Sequence, residues 1–143
     1  MSNSMIRLFA LVLFMLPVAV LTPILEVGPT HVFDPAWPGH ARLHEVWQLL
    51  TNMLLAGFVV WLAVAQKNYK LACFVGLMVN GAFLAAVLLA PAYGGTMRHS
   101  DGSELAIGGI NIAVAIMLVA TMGLLALFIT APRELPSCGR QAK

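Results

Sequence analysis

The chain has four histidines, His31, His40, His44 and His99. They are the side chains best suited to chemistry near neutral pH, where imidazole both exchanges protons and binds metals. His40 and His44 stand one helical turn apart with Glu45 beside them, and two imidazoles at that spacing reach a single divalent metal ion. A third ligand is sought in His31, His99, Asp34, Asp101 or Glu104. Interfacial histidines also serve simply as hydrogen-bonding groups for headgroups, water or carbonyls, and an H-x-x-x-H pair alone does not separate the two readings. Without metal, His44 and the partly desolvated Glu45 form a pair able to move protons on a lipophilic substrate.

Gln48 and Asn52 extend the same every-fourth-residue row, so His40, His44, Gln48 and Asn52 line one stripe of a helix. An unsatisfied amide in hydrocarbon costs several kcal/mol. The stripe is therefore expected to face the protein interior, with Gln48 and Asn52 orienting a substrate oxygen and with Asn80 and Asn111 as partner amides. Bonding between neighbouring helices is the plain alternative role for all four amides. His31 or His99 would close the site.

The elements that must position these residues are membrane spans. Of the 143 residues 60% are hydrophobic and 10% charged, with mean hydropathy +0.88. The apolar residues form long runs at residues 8–25, 46–65, 71–90 and 105–131. A spanning helix takes about 20 such residues, and helices satisfy their own backbone in lipid. The expected fold is an all-α, integral membrane four-helix bundle forming a single domain over residues 1–143, with residues 132–143 as a tail. A cleaved signal peptide is a weaker reading of the first run, which exceeds a typical apolar core of about 7 to 15 residues and lacks a small-x-small cleavage site. Pro17 lies inside that run and predicts a kink.

Charge sets the orientation. Arg7, Lys67, Lys70, Arg133, Arg140 and Lys143 fall on one side with Glu134, while Glu26, Asp34, Glu45, Asp101 and Glu104 fall on the other with Arg42 and Arg98. Lys and Arg collect on the cytoplasmic side, so both termini are expected there and loops one and three, which carry the histidines, outside. Two opposed faces give no reason to expect a nucleic-acid partner. Loop one holds Pro29, Pro35 and Pro38, with Pro38 placed to start the second helix. Loop three contains two turn signals, Gly94-Gly95 and Asp101-Gly102, and Asp101 and Glu104 are expected to cap the fourth helix. Small residues every fourth position, Ala82, Ala86 and Ala90, Gly81 with Ala85, and Gly109 with Ala113, mark expected close helix packing.

Several classes are set aside. Four histidines are too few for a membrane di-iron hydroxylase, no carboxylate lies mid-bilayer as a proton-coupled exporter requires, and the imidazoles lie at one end rather than across the bundle as a b-type haem needs. Ser100 and Ser103 lack a nucleophile elbow. Cys73 and Cys138 form no C-x-x-C pair, which argues against a thiol oxidoreductase.

The segment from His31 through Asp34-Pro35-Ala36-Trp37-Pro38-Gly39-His40 to His44, followed by Trp47-Gln48, resembles a stretch found in small, uncharacterised bacterial four-helix membrane proteins. The likeness covers about a tenth of the chain. It implies a defined outer loop entering the second helix, and it brings no activity; the expected location is a bacterial inner membrane. More loosely, four spans with polar residues at one end are similar to the membrane sterol-isomerase and sigma-2 receptor fold; the acidic residues of that family's helices have no counterpart here, so its function is not carried over. The expected function is an outward-facing polar pocket for a lipophilic small molecule, with proton transfer or metal assistance as its chemistry. The alternative is a noncatalytic accessory subunit docking a membrane-protein partner or a second copy.

Overall fold

The first apolar run folds as a helix because Ser2 caps its start, its side chain accepting from the Met5 amide at 3.4 Å. The computed structural model describes residues 2–131; the expected tail lies outside the described residues. The first helix continues over Asn3–Glu26 despite Pro17, whose ring takes the place of an amide and clashes with a regular turn. The expected kink takes the form of a π-helical turn at Pro17–Leu21, in which the Thr22 amide reaches back to the Pro17 carbonyl. A π-turn widens the helix locally and absorbs the misfit.

The second helix, Gly39–Val64, begins directly after Pro38, which caps it rather than occupying its first turn. A tight connection through Lys67, in the left-handed region at φ 54°, leads to the third helix, Tyr69–Tyr93. Asn68 caps it by accepting from the Leu71 amide at 3.0 Å. Gly94 ends it at φ 74°, a conformation glycine takes without a Cβ penalty.

The fourth helix departs from expectation. It spans Ile112–Thr130, and the preceding residues form a β-hairpin, Ala106–Ile107 against Ile110–Asn111. Gly108 and Gly109 both have positive φ, 58° and 81°, the pair that a two-residue hairpin turn demands. An apolar run was therefore divided by its glycines. The cap is Asn111, accepting from Val114 at 3.2 Å, and not Asp101 or Glu104. Asp101 instead closes its own turn by accepting from the Ser103 amide and hydroxyl, and Glu104 accepts from Asn111 Nδ2 at 3.2 Å.

Among the described residues four helices are long and apolar enough to cross a membrane. Each packs on its neighbour in sequence and the first packs on the fourth, making a closed bundle around Leu11, Met15, Val59, Leu62, Met117 and Leu124. The residues that let the helices approach differ from those expected. A Cβ on Gly123 would run into the Phe14 ring, and one on Gly76 would meet Met15 Sδ at 3.0 Å and Leu124 at 3.3 Å. By contrast Ala82, Ala85 and Ala86 are exposed, Gly81 has open space beside it, and Gly109 sits in the hairpin turn. Spacing marked possible contact rows; the buried face of each helix decided which one was used.

Candidate ligand site at the loop end of the bundle

Loop one folds around its acids. Asp34 is 4% exposed; its Oδ1 accepts from the Ala36 amide at 2.8 Å and its Oδ2 from the Ser100 hydroxyl of loop three. The Ser100 hydrogen bond first, and the Ala36 amide second, hold the Asp34 carboxyl below its ordinary range. Arg42, one turn into the second helix, donates from Nε and Nη2 to the Trp37 carbonyl at 3.1 and 3.0 Å. The loop is thus tied both to its following helix and to loop three.

A second tie is aromatic. The His31 ring lies edge-on to His99, centroids 4.8 Å apart, and to Trp37 at 5.4 Å. His31 Nε2 meets Glu26 Oε2 at 2.9 Å and its Nδ1 meets Thr30 Oγ1 at 3.1 Å. When Glu26 is ionised its carboxylate only accepts, and Nε2 of the neutral ring then carries the proton while Thr30 donates to Nδ1. Burial first, and the neighbouring His99 second, push the His31 pKa down, with Asp34 opposing. His99 Nδ1 is itself buried without a hydrogen-bond partner among the described residues.

The row on the second helix forms a separate group. His40 and His44 meet Nε2 to Nε2 at 3.0 Å, and Gln48 Nε2 donates to Asn52 Oδ1 at 3.1 Å. Exposure is graded along the row: His40, His44 and Gln48 are exposed, Asn52 is half-buried and Ala56, the next member, is buried. Only the inner end of the stripe faces the interior as expected. Beside it lies an open recess of about 490 Å³ lined by Ala41, His44, Glu45, Trp47, Gln48 and Thr51. Glu45, which lines the recess, is half-buried.

Two expected connections are not made. Among the described residues no three His, Cys, Asp or Glu side chains are gathered as a metal site. Of the expected third ligands, His31 meets Glu26 and lies edge-on to His99, Asp34 accepts from Ser100, Asp101 from Ser103 and Glu104 from Asn111, and none is grouped with the His40–His44 pair. Asn80 and Asn111 do not meet Gln48 or Asn52 either. Asn80 is fully buried, donating to the Gly76 carbonyl at 3.0 Å and toward Met15 Sδ at 3.7 Å, while Asn111 is a helix cap.

Sequence reasoning passed over Thr51 and the partnering roles of Glu26 and Ser100. Thr51 was within reach, since it follows His44 and Gln48 at helical spacing, seven and three residues on. Glu26 ends the first helix only because the π-turn carries that helix through Pro17 and Pro23, and no pattern announces this. No family model, no curated protein and no solved structure matches the chain. Neither resemblance drawn from the sequence gains support from these comparisons, and function has to be argued from the recess itself.

Proposed function

We propose that the chain is an integral protein of a bacterial inner membrane, with both termini cytoplasmic, that binds a lipophilic molecule bearing a hydrogen-bonding head group in the recess of the second helix. The observation that carries this reading is the lining: an imidazole, a carboxylate, an amide, a hydroxyl and an indole converge on one open space. The space lies where the polar entry of the helix gives way to its apolar run, so a ligand entering from the outer leaflet would keep its chain in lipid and its head among His44, Glu45, Gln48 and Thr51. His44 Nε2 is occupied by His40. Its Nδ1, which has no hydrogen-bond partner among the described residues, and the Glu45 carboxylate are the groups available for a proton-transfer step. The orientation rests on the charge asymmetry of the loops.

Fluorescence of Trp47 tests the reading. In a Trp37→Phe/Trp61→Phe background, a brominated long-chain alcohol should quench Trp47 saturably, and Gln48→Leu with Glu45→Gln should abolish the saturable part while leaving the linear quenching by bulk lipid. Purely linear quenching in both proteins would sink the proposal. Orientation is checked by labelling Ser103→Cys from outside intact cells; protection of that thiol would reverse the topology.

A further inference from the structure

The fourth helix is fixed to the hairpin that precedes it. Asn111 ends the second strand and also caps the helix, its side chain accepting from the Val114 amide at 3.2 Å. The Ile112 amide donates to the Leu105 carbonyl at 2.9 Å, and Glu104 accepts from Asn111 Nδ2 at 3.2 Å. No linker separates strand from helix, so the hairpin stays at the helix entrance. Ile107 and Ile110 are partners across the two strands, which puts their side chains on one face of the ribbon. That face is uncovered: Ile107 is 73% and Ile110 64% exposed. No charged residue occurs between Glu104 and Arg133, so the hairpin continues the apolar run of the span.

The depth of this pair follows from the helix. The 19 residues Ile112–Thr130 rise about 28 Å, against about 30 Å of hydrocarbon, so the helix entrance lies at the edge of the apolar layer. Headgroups occupy about 5 to 7 Å beyond that edge. Ile110 is two residues before the helix, at most about 7 Å of strand, and Ile107 stands opposite it. Whichever way the ribbon points, both isoleucines remain within headgroup depth, where acyl chains are in reach of a side chain. We infer that the hairpin is an interfacial finger whose Ile107–Ile110 face dips into the lipid leaflet beside the fourth helix, with the Gly108-Gly109 turn among the headgroups. Backbone chemistry limits the insertion. A two-stranded ribbon leaves N–H and C=O groups unpaired along its outer edges, and these do not enter hydrocarbon, so the strands stay at headgroup level and only side chains reach the acyl region. A protein partner would have to displace lipid to cover this face, whereas lipid is in place once the helix spans. The inference rests on the chain spanning a membrane; it needs neither the ligand reading nor a choice of leaflet.

Isoleucine-methyl NMR of the unaltered protein in phosphatidylethanolamine and phosphatidylglycerol nanodiscs tests it, with the two signals assigned by Ile107→Val and Ile110→Val. Both methyl groups should receive magnetisation from acyl-chain protons, as should those of Ile129, which is 70% exposed on the fourth helix. In Ile107→Ser/Ile110→Ser the finger is no longer held in the leaflet, so a gadolinium chelate dissolved in the water should broaden the Gly108 and Gly109 amides more than in the unaltered protein. Helical circular dichroism and an unchanged Ile129 signal guard against misfolding of that variant. Transfer to Ile107 and Ile110 from water alone, or from another protein, while Ile129 meets acyl chains, would overturn the inference and leave the span standing. Absence of lipid contact at Ile129 as well would overturn both. Chelate broadening of Gly108 and Gly109 that is the same in the serine variant would also overturn the inference.

Discussion

Asn80→Ala is a substitution whose outcome follows from hydrogen-bond accounting. Asn80 is fully buried, and its Nδ2 donates to the Gly76 carbonyl at 3.0 Å, but its Oδ1 is buried without a partner among the described residues. Removing the side chain loses a bond worth about 1 kcal/mol, to a carbonyl already engaged in the helix, and relieves an orphan acceptor that costs about 1 to 3 kcal/mol. Alanine adds up to about 0.7 kcal/mol of helix propensity. Against these stand the lost contacts with Met15, which we set at about 1 kcal/mol. The terms sum to between about 1 kcal/mol of loss and about 2 kcal/mol of gain, where truncating a fully buried apolar side chain typically costs about 2 to 5 kcal/mol. Reversible unfolding by sodium dodecyl sulfate in mixed micelles measures the difference, with Leu124→Ala as the apolar comparison. A loss above about 3 kcal/mol for Asn80→Ala would refute the accounting, because it would mean that Oδ1 is satisfied by a bound water or ligand whose partner the substitution removed.

Three further outcomes follow from the same contacts. Gly123→Ala places a methyl group against the Phe14 ring and should destabilise the bundle by about 1 to 3 kcal/mol; Phe14→Leu in the same chain should recover most of that loss, and failure to recover it would show that the helices do not meet there. Because the His31 pKa is lowered in the fold, the unfolded chain binds its proton more readily, so this contribution to stability is present above about pH 6.5 and is lost as pH falls below it. The Trp37 fluorescence, read as a reporter of the adjoining His31 ring, should titrate below pH 6.5 and move upward in His99→Gln; a midpoint above 6.5 in the unaltered protein would contradict the burial of that ring. Ser100→Ala removes the strongest cause of the depressed Asp34 pKa, so the Asp34 carboxyl, followed by carbon-13 NMR, should titrate higher than in the unaltered protein, with faster amide exchange in loop one. An unchanged Asp34 titration would mean that loops one and three are not joined there.

What the sequence disclosed, and what it hid, divides along the physics of each signal. Span length and hydropathy are properties of whole segments, and the four helices appear where the apolar runs lie. Local geometry overrode the pattern where two or three residues had special backbone demands. Gly108 and Gly109 turned the start of the fourth run into a hairpin, and Pro17 shaped the expected kink as a π-turn. The small-residue rows failed for another reason: alanine every fourth residue permits close approach on whichever face it lies, but only neighbouring elements decide which face is used, and Gly76 and Gly123 were on it. The site shows the same limit. Helical spacing placed His40 beside His44 and Gln48 beside Asn52, since neighbours at four residues are fixed by the helix alone. Contacts between elements were beyond its reach, which is why His31 and His99 meet each other instead of completing a metal site, and why Asn80 and Asn111 serve their own helices. The consequence reaches function. Gln48 and Asn52 bond only to each other among the described residues, and the recess beside them is where the proposed ligand would be tested.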